Sequence, residues 1–244
     1  MEIVTVSLEL SGPEASRPFI EAAAADHPSL LDREHRMDAL FGVVNIPNVI
    51  WIDEQGTIVR PAEPGWPEAR QGLPSELQAA MRTMPKVGRA PTAPPPPPGQ
   101  TDPMAMLASG QDRATYVDAI RDWAAAGAAS EFALSPTEVV ERSQPRSPDL
   151  SAGAAHFELA DHLWRAGQRD LALVHFVECH RLQPANWTYK RQAWSLVGNE
   201  RVGGDFGRFI QGPIEGEEDS WPFASDFRSD TALLGAGEYY PKTM

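Results

Sequence analysis

Apolar residues open this chain in short blocks of the β type and take helical spacing only later. Ile3, Val4, Val6 and Leu8 predict a strand over residues 1–8, where β-branched and apolar side chains fit a pleated surface. Ser11-Gly12-Pro13-Glu14 follows, a Ser with Glu three positions later, and predicts a capping box that opens a helix toward Ala25. Pro18 falls inside that helix, so it either kinks there or begins at Ser16. After the apolar piece Ser29-Leu30-Leu31, Asp32 is placed to cap a helix over residues 33–41, with Gly42 as its stop. Val49-Ile50-Trp51-Ile52 is apolar at every position, the pattern of a strand covered on both faces. Asp53-Glu54-Gln55-Gly56 then reads as a hairpin loop and Thr57-Ile58-Val59-Arg60 as the returning strand.

From residue 61 to about 112 the pattern breaks, because prolines puncture the segment and residues 94–98 are five prolines in a row. Such a run is an extended, solvated polyproline II piece, within a surface insertion or as a docking ligand for a proline-reading partner. A short helix fits residues 75–84. Helical spacing returns over residues 113–126, with Tyr116, Ile120 and Trp123 on one face and Gly127 at the end. This helix is read as packing back on the sheet. Ser135-Pro136-Thr137-Glu138 starts another short helix, and residues 144–148 form a linker to a module that begins near Asp149.

Residues 153–186 resemble a single tetratricopeptide repeat, a helix-turn-helix unit of this length. Leu159, Ala160 and Leu163 occupy the first helix, Gly167 the turn, Ala172, Phe176 and Cys179 the second helix, and Pro184 its end. One repeat cannot bury its own apolar face, so the segment 187–196 is read as a helix that caps it. Trp187 and Trp194 are seven apart and share a stripe. They are either core contacts or, with Lys190 and Arg191, a surface that binds a protein partner. Beyond Val202 an irregular tail is predicted, anchored by Trp221, Phe223, Phe227 and Tyr239.

The net charge of −13 argues against a nucleic-acid partner, whose binding surface is basic. An apolar fraction of 42% over 244 residues is enough for one sizeable domain or two small ones. No run of about 18 apolar residues is present, so no membrane span is predicted. The start has neither a basic region nor an apolar stretch of signal type, and the chain as written reads as cytoplasmic. Cys179 is the single cysteine, which excludes an internal disulfide, a CxxC pair and a multi-cysteine zinc site. His156, His162, His175 and His180 lie close in sequence, but Cys179 belongs to the repeat's packing and no second ligand pair is present. Neither GxGxxG nor a P-loop occurs. No metal, no cofactor and no catalytic residue is therefore assigned.

The order strand, helix, short strand, helix, loop, strand, hairpin, strand, helix resembles a thioredoxin fold, most closely the TlpA/ResA and peroxiredoxin-like redoxins. The segment from Phe41 through Asn45-Ile46-Pro47-Asn48 and Val49-Ile50-Trp51-Ile52 to Asp53-Glu54-Gln55-Gly56 and Val59 carries the likeness. The resemblance implies that Pro47 is cis and, with Ile46, positions a substrate backbone; Asn48 replaces the family's usual threonine. It also places residues 1–8 at the family's second parallel strand. The central strand and the helix that carry the redox residues are then lacking, which leaves two ladder edges to be satisfied. The expectation is a longer parent protein. Some relatives carry selenocysteine, whose UGA codon is easily read as a stop.

The resulting fold class is an α/β thioredoxin-like domain, incomplete at its N-terminus, followed by a small all-α tetratricopeptide-like hairpin. The expected domains are residues 1–145, with a proline-rich insertion at about 61–112, then 149–200, then a tail over 201–244. The function implied is that of a relative of thiol- or selenol-dependent disulfide oxidoreductases, with no redox-active residue in these 244 positions. The alternative is a non-catalytic adaptor that binds a protein through the helical module.

Overall fold

The computed structural model describes residues 1–65, 82–95, 113–203, 207–235 and 238–240. It is a mixed α/β structure with two small sheets and eight helices among those residues. The chain divides into two compact units. Met1–Val44, Val49–Glu63 and Ala119–Pro145 make the first, and Asn45–Asn48, Pro64–Asp118 and Arg146–Met244 the second.

In the first unit, β1 (Thr5–Leu8) lies parallel to β2 (Ser29–Asp32), in register from Thr5 opposite Ser29 to Leu8 opposite Asp32. Parallel neighbours need a crossover, and α1 (Pro13–Ala23) supplies it. The predicted capping box does not form: Gly12 is the N-cap, and the Ser11 amide donates instead to Glu9 Oε1 at 2.8 Å. The helix runs through Pro18, and buried Ser16 holds it to β1 by a 2.8 Å hydroxyl contact with Ser7. Asp32 does cap the next helix, accepting from the amides of Glu34, Arg36 and Met37 at 3.2, 3.0 and 2.8 Å. His35 sits at φ 50°, outside helical geometry, so α2 (Arg36–Phe41) starts later than residue 33.

β3 (Asn48–Ile52) and β4 (Ile58–Pro64) form the second sheet. Asp53 Oδ1 accepts from the Gln55 and Thr57 amides at 3.0 and 2.8 Å, and Gly56 takes φ 80°, a conformation that only glycine adopts without strain. The two-faced burial predicted for β3 is not observed. Trp51 alone is buried, Val49 and Ile50 are half-buried and Ile52 is exposed.

Trp51 stacks on Trp123 of α3 (Arg113–Ala126) at 4.8 Å, so this part of α3 packs on the sheet as its spacing predicted. The Arg60 guanidinium lies 5.4 Å over the Trp51 ring. It is buried with Glu63 in a two-point pair at 2.6 and 2.9 Å and donates to the Phe132 carbonyl at 2.8 Å. The capping box predicted at Ser135 and Glu138 forms and opens α4 (Pro136–Ser143).

The second unit is built on α5 (Pro148–Arg165) and α6 (Arg169–Leu182), a hairpin turned at Gly167 with φ 78°. Ala160, Ala172, Phe176 and Cys179 are fully buried between them, as the small-and-large pattern predicted, together with Phe157. Leu159 departs from that pattern and is exposed. α7 (Trp187–Val202) covers the pair, with Tyr189 stacked on Phe157 at 4.3 Å.

The tail is irregular apart from three-residue helical turns and α8 (Phe227–Thr231). It pairs with residues of the proline-rich stretch. Val87 bridges Ile214, the Gly88 amide donates to Pro213 at 2.7 Å, and the Ala90 amide donates to Asp226 Oδ2 at 2.7 Å. Residues 82–95 therefore belong with the helical unit, where the sequence pattern had placed them as an excursion from the first domain. The predicted helix over 75–84 and the five-proline run fall largely outside the described residues, and residues 82–84 form a turn.

Gly198 meets the tail at its closest approach, since a Cβ there would overlap the carbonyl of buried Ile210. Helix propensity alone favours Gly198→Ala by about 1 kcal/mol. Backbone overlap outweighs that gain. The substitution is expected to lower the urea midpoint, and a raised midpoint would show that the tail does not press on α7.

Candidate functional site

The residues that sequence reasoning offered as a partner surface on α7 are turned inward and hold the chain's own tail. Trp187, Lys190 and Trp194 are buried and Arg191 is half-buried, so no exposed binding face is formed by this set. Asn186 accepts from the Tyr189 amide at 3.1 Å and fixes the start of α7. The following turns then bring Trp187, Lys190, Arg191 and Trp194 to the face that meets the tail.

The Lys190 ammonium sits 4.9 Å from the Trp187 ring centre and 5.5 Å from that of Trp194. It donates to the Pro184 carbonyl at 3.1 Å and forms an ion pair with Asp230 of α8. A buried ammonium is tolerated only with such compensation. Arg191 reaches Gln211 Oε1 at 3.2 Å and the Tyr239 hydroxyl at 3.3 Å, with its guanidinium 5.3 Å over Phe227. Tyr239 closes the cluster edge-on to Trp187 at 4.7 Å.

Beside this cluster lies the loop expected to position a substrate. The Ile46–Pro47 bond is cis, and both side chains are exposed. The backbone of the loop is engaged within its own unit. Asn45 is buried, its Oδ1 accepts from the Ile46 amide at 2.9 Å, and its Nδ2 donates to the Tyr239 carbonyl at 2.9 Å. The Tyr240 hydroxyl donates to the Ile46 carbonyl at 2.9 Å. Sequence reasoning missed Asn45, Asp230 and Tyr240 because their partners lie far away along the chain, 194 positions for the two tail contacts of the loop. Tyr239 was foreseen as an anchor only.

His180 packs between Trp194, at 5.7 Å, and Phe223, at 4.9 Å. Its Nε2 and the Trp194 Nε1 are sealed from solvent without a hydrogen-bond partner among the described residues. Burial, with the Lys190 charge adding to it, pushes the imidazole down to about 3. The remaining histidines make no ligand set. His156 and His175 meet Nδ1 to Nδ1 at 2.8 Å across α5 and α6, and Cys179 is fully buried. Among the described residues no group of three or more His, Cys, Asp or Glu is placed to hold a metal ion, and no helix is long and apolar enough to cross a membrane. No family model, no curated protein and no solved structure matches this chain.

Two consequences are measurable. Asp230→Ala strands the Lys190 ammonium, which is expected to cost about 3–5 kcal/mol in urea unfolding, while Lys190→Met with Asp230→Leu recovers most of it. A loss below about 1 kcal/mol for the single variant would contradict the pairing. His180 is neutral in the fold but takes a proton near pH 6.5 once unfolded. Its contribution is thus fully present above that pH and declines as pH falls from about 6.5 toward 3, by at most about 1.4 kcal/mol per unit. His180→Phe is expected to flatten the stability profile between pH 6.5 and 5, and an unchanged slope would refute the assignment.

Proposed function

We propose that this chain is a thioredoxin-like, redoxin-family protein related to thiol- or selenol-dependent disulfide oxidoreductases. Its own 244 residues supply no redox-active group. In this reading Ile46 and Pro47 position a protein substrate, and the α5–α6 pair is a tetratricopeptide-like module that carries a tail. The partner is a protein, neither nucleic acid nor lipid.

The observation that carries the reading is the strand pairing. β1 has β2 as its strand neighbour and β3 has β4, in two separate sheets among the described residues. Meanwhile β3, apolar at four of its five positions, is half-buried before Trp51 and exposed after it at Ile52. Strands of that composition are stable when paired and covered on both faces. The arrangement supports a sheet that takes one further apolar strand, the element that bears the reactive group in the family resembled. Cys179 is no substitute, because a thiol fully buried between two helices is inert.

A second reading, the non-catalytic adaptor, is favoured by one feature. Leu171, Val174 and Val177 leave an apolar stripe exposed on α6.

Turnover of insulin disulfides or hydrogen peroxide by the 244-residue chain is expected at background. Turnover that Pro47→Ala abolishes would overturn the absence of a redox group. In the genome, an in-frame TGA upstream of Met1, in a Trp-Ala-x-x-(stop)-Gly-Cys context, is the positive result. The read-through protein should then reduce disulfides and lose that activity on Pro47→Ala. An ordinary stop with no related coding sequence beyond it refutes the redox reading in favour of the adaptor.

A further inference from the structure

We propose that His156 and His175 are one half of a metal site, completed by the same pair from a second copy of this chain. A divalent transition metal of the zinc and copper class joins the two copies at the outer face of the α5–α6 hairpin. The inference rests on that hairpin alone and not on the redox reading.

The two histidines come from different helices, His156 from α5 and His175 from α6, and meet because the hairpin is antiparallel. Their Nδ1 atoms are 2.8 Å apart, one ring donating to the other, with ring centres at 5.0 Å. Both residues are half-buried, so the pair is open to an entering ion. Imidazole is the ligand such metals take most readily. Two nitrogens held at about 2.0–2.1 Å from one ion lie roughly 2.8–3.4 Å from each other. The pair thus stands close to the spacing of neighbouring ligands. When the ion enters, the hydrogen between the rings moves to the Nε2 of its own ring, and both Nδ1 lone pairs face the metal.

Two imidazoles are no ligand set by themselves, and one chain offers no third. Among the described residues no group of three or more His, Cys, Asp or Glu is placed to hold an ion. Glu178, three positions after His175, is held by Arg181 at 2.6 and 2.8 Å, and Cys179 is fully buried. Closed sites for these metals take four ligands. A two-fold axis through the ion turns two imidazoles into four.

The surface around the pair suits that operation. Leu171 lies one turn before His175 on α6, and Leu159 nearly one turn after His156 on α5. Both are exposed, as are Val174 and Val177. A helical repeat with an apolar outer face stacks on a neighbour, and a two-fold contact sets this patch against its own copy. Four partly exposed side chains fall short of the roughly 800 Å² per partner that a stable interface buries. The net charge of −13 on each copy adds repulsion. The contact therefore depends on the ion.

The test is sedimentation velocity of the full chain, first in chelator and then with Zn²⁺ or Cu²⁺ added stepwise. A single chain is expected in chelator. The mass doubles with one or both ions, and the change is complete at half an equivalent per chain. His175→Ala abolishes the doubling, and so does Val174→Glu, which leaves both imidazoles in place. Electron paramagnetic resonance of the copper form is expected to show four nitrogens around the ion in the native chain and at most two in Val174→Glu. Should His175→Ala not fold by circular dichroism, His156→Gln takes its place. One ion bound per chain without doubling overturns the proposal, as does doubling that persists in chelator or in the histidine variant. A single chain at every concentration of both ions also overturns it and leaves this face to a different protein.

Discussion

The Lys190 ammonium is the constraint around which the helical unit is organised. A lysine so deeply covered needs compensation from every side, since an isolated charge in an apolar setting is costly by many kcal/mol. The α7 helix itself supplies two ring faces, Trp187 and Trp194, and the turn before it supplies the Pro184 carbonyl. None of these neutralises the charge. That falls to Asp230, which arrives on a five-residue helix of the tail, 40 positions downstream. The tail is therefore required for the fold of α7, and its docking orders a third segment. Asp226 caps α8 and binds the Ala90 amide, which draws residues 82–95 into the same body.

The first unit is held by a different device. Its apolar strands are short and incompletely covered, and a stack of Trp123, Trp51 and the Arg60–Glu63 pair packs against them. A buried guanidinium with both hydrogen-bonding edges occupied, by Glu63 and by the Phe132 carbonyl, provides direction where aliphatic packing is thin. Among the described residues the two strand pairs stand as separate ladders, so each strand is paired on one side only. A sheet of this kind gains stability from any further extended segment that completes it.

Much of the local structure was legible along the chain. Asp53 and Gly56 fold the hairpin, Ser135 with Glu138 opens α4, and Gly167 turns α5 into α6, each through groups within four residues of one another. The core of the helical pair followed from its pattern, because Ala160, Ala172, Phe176 and Cys179 fall where two helices cross closely. Local rules failed where a competing neighbour prevailed. Ser11 lost its capping role when its amide turned to Glu9, and α2 started late because His35 adopts a left-handed conformation.

The candidate site was legible by half. Ile46 and Pro47 were offered by the resemblance to redoxins, and Trp187, Lys190, Arg191 and Trp194 by their spacing on a helix. Whether those four faced solvent was not decided by spacing, which is the same for an exposed stripe and a covered one. Burial depended on a partner segment with no periodic signal of its own, rich in glycine, proline and aromatic residues. By itself the sequence determined most of the helices and strands before the tail, the turns at Gly56 and Gly167, and that the chain carries a single thiol. Tertiary structure alone decided that a lysine among tryptophans meets an aspartate from the tail, and that the carbonyl of Ile46 meets a tyrosine 194 positions away. The reason is physical: hydrogen bonds within a turn are set by neighbouring residues, whereas the burial of a charge or a carbonyl is satisfied by whichever distant group the fold brings to it.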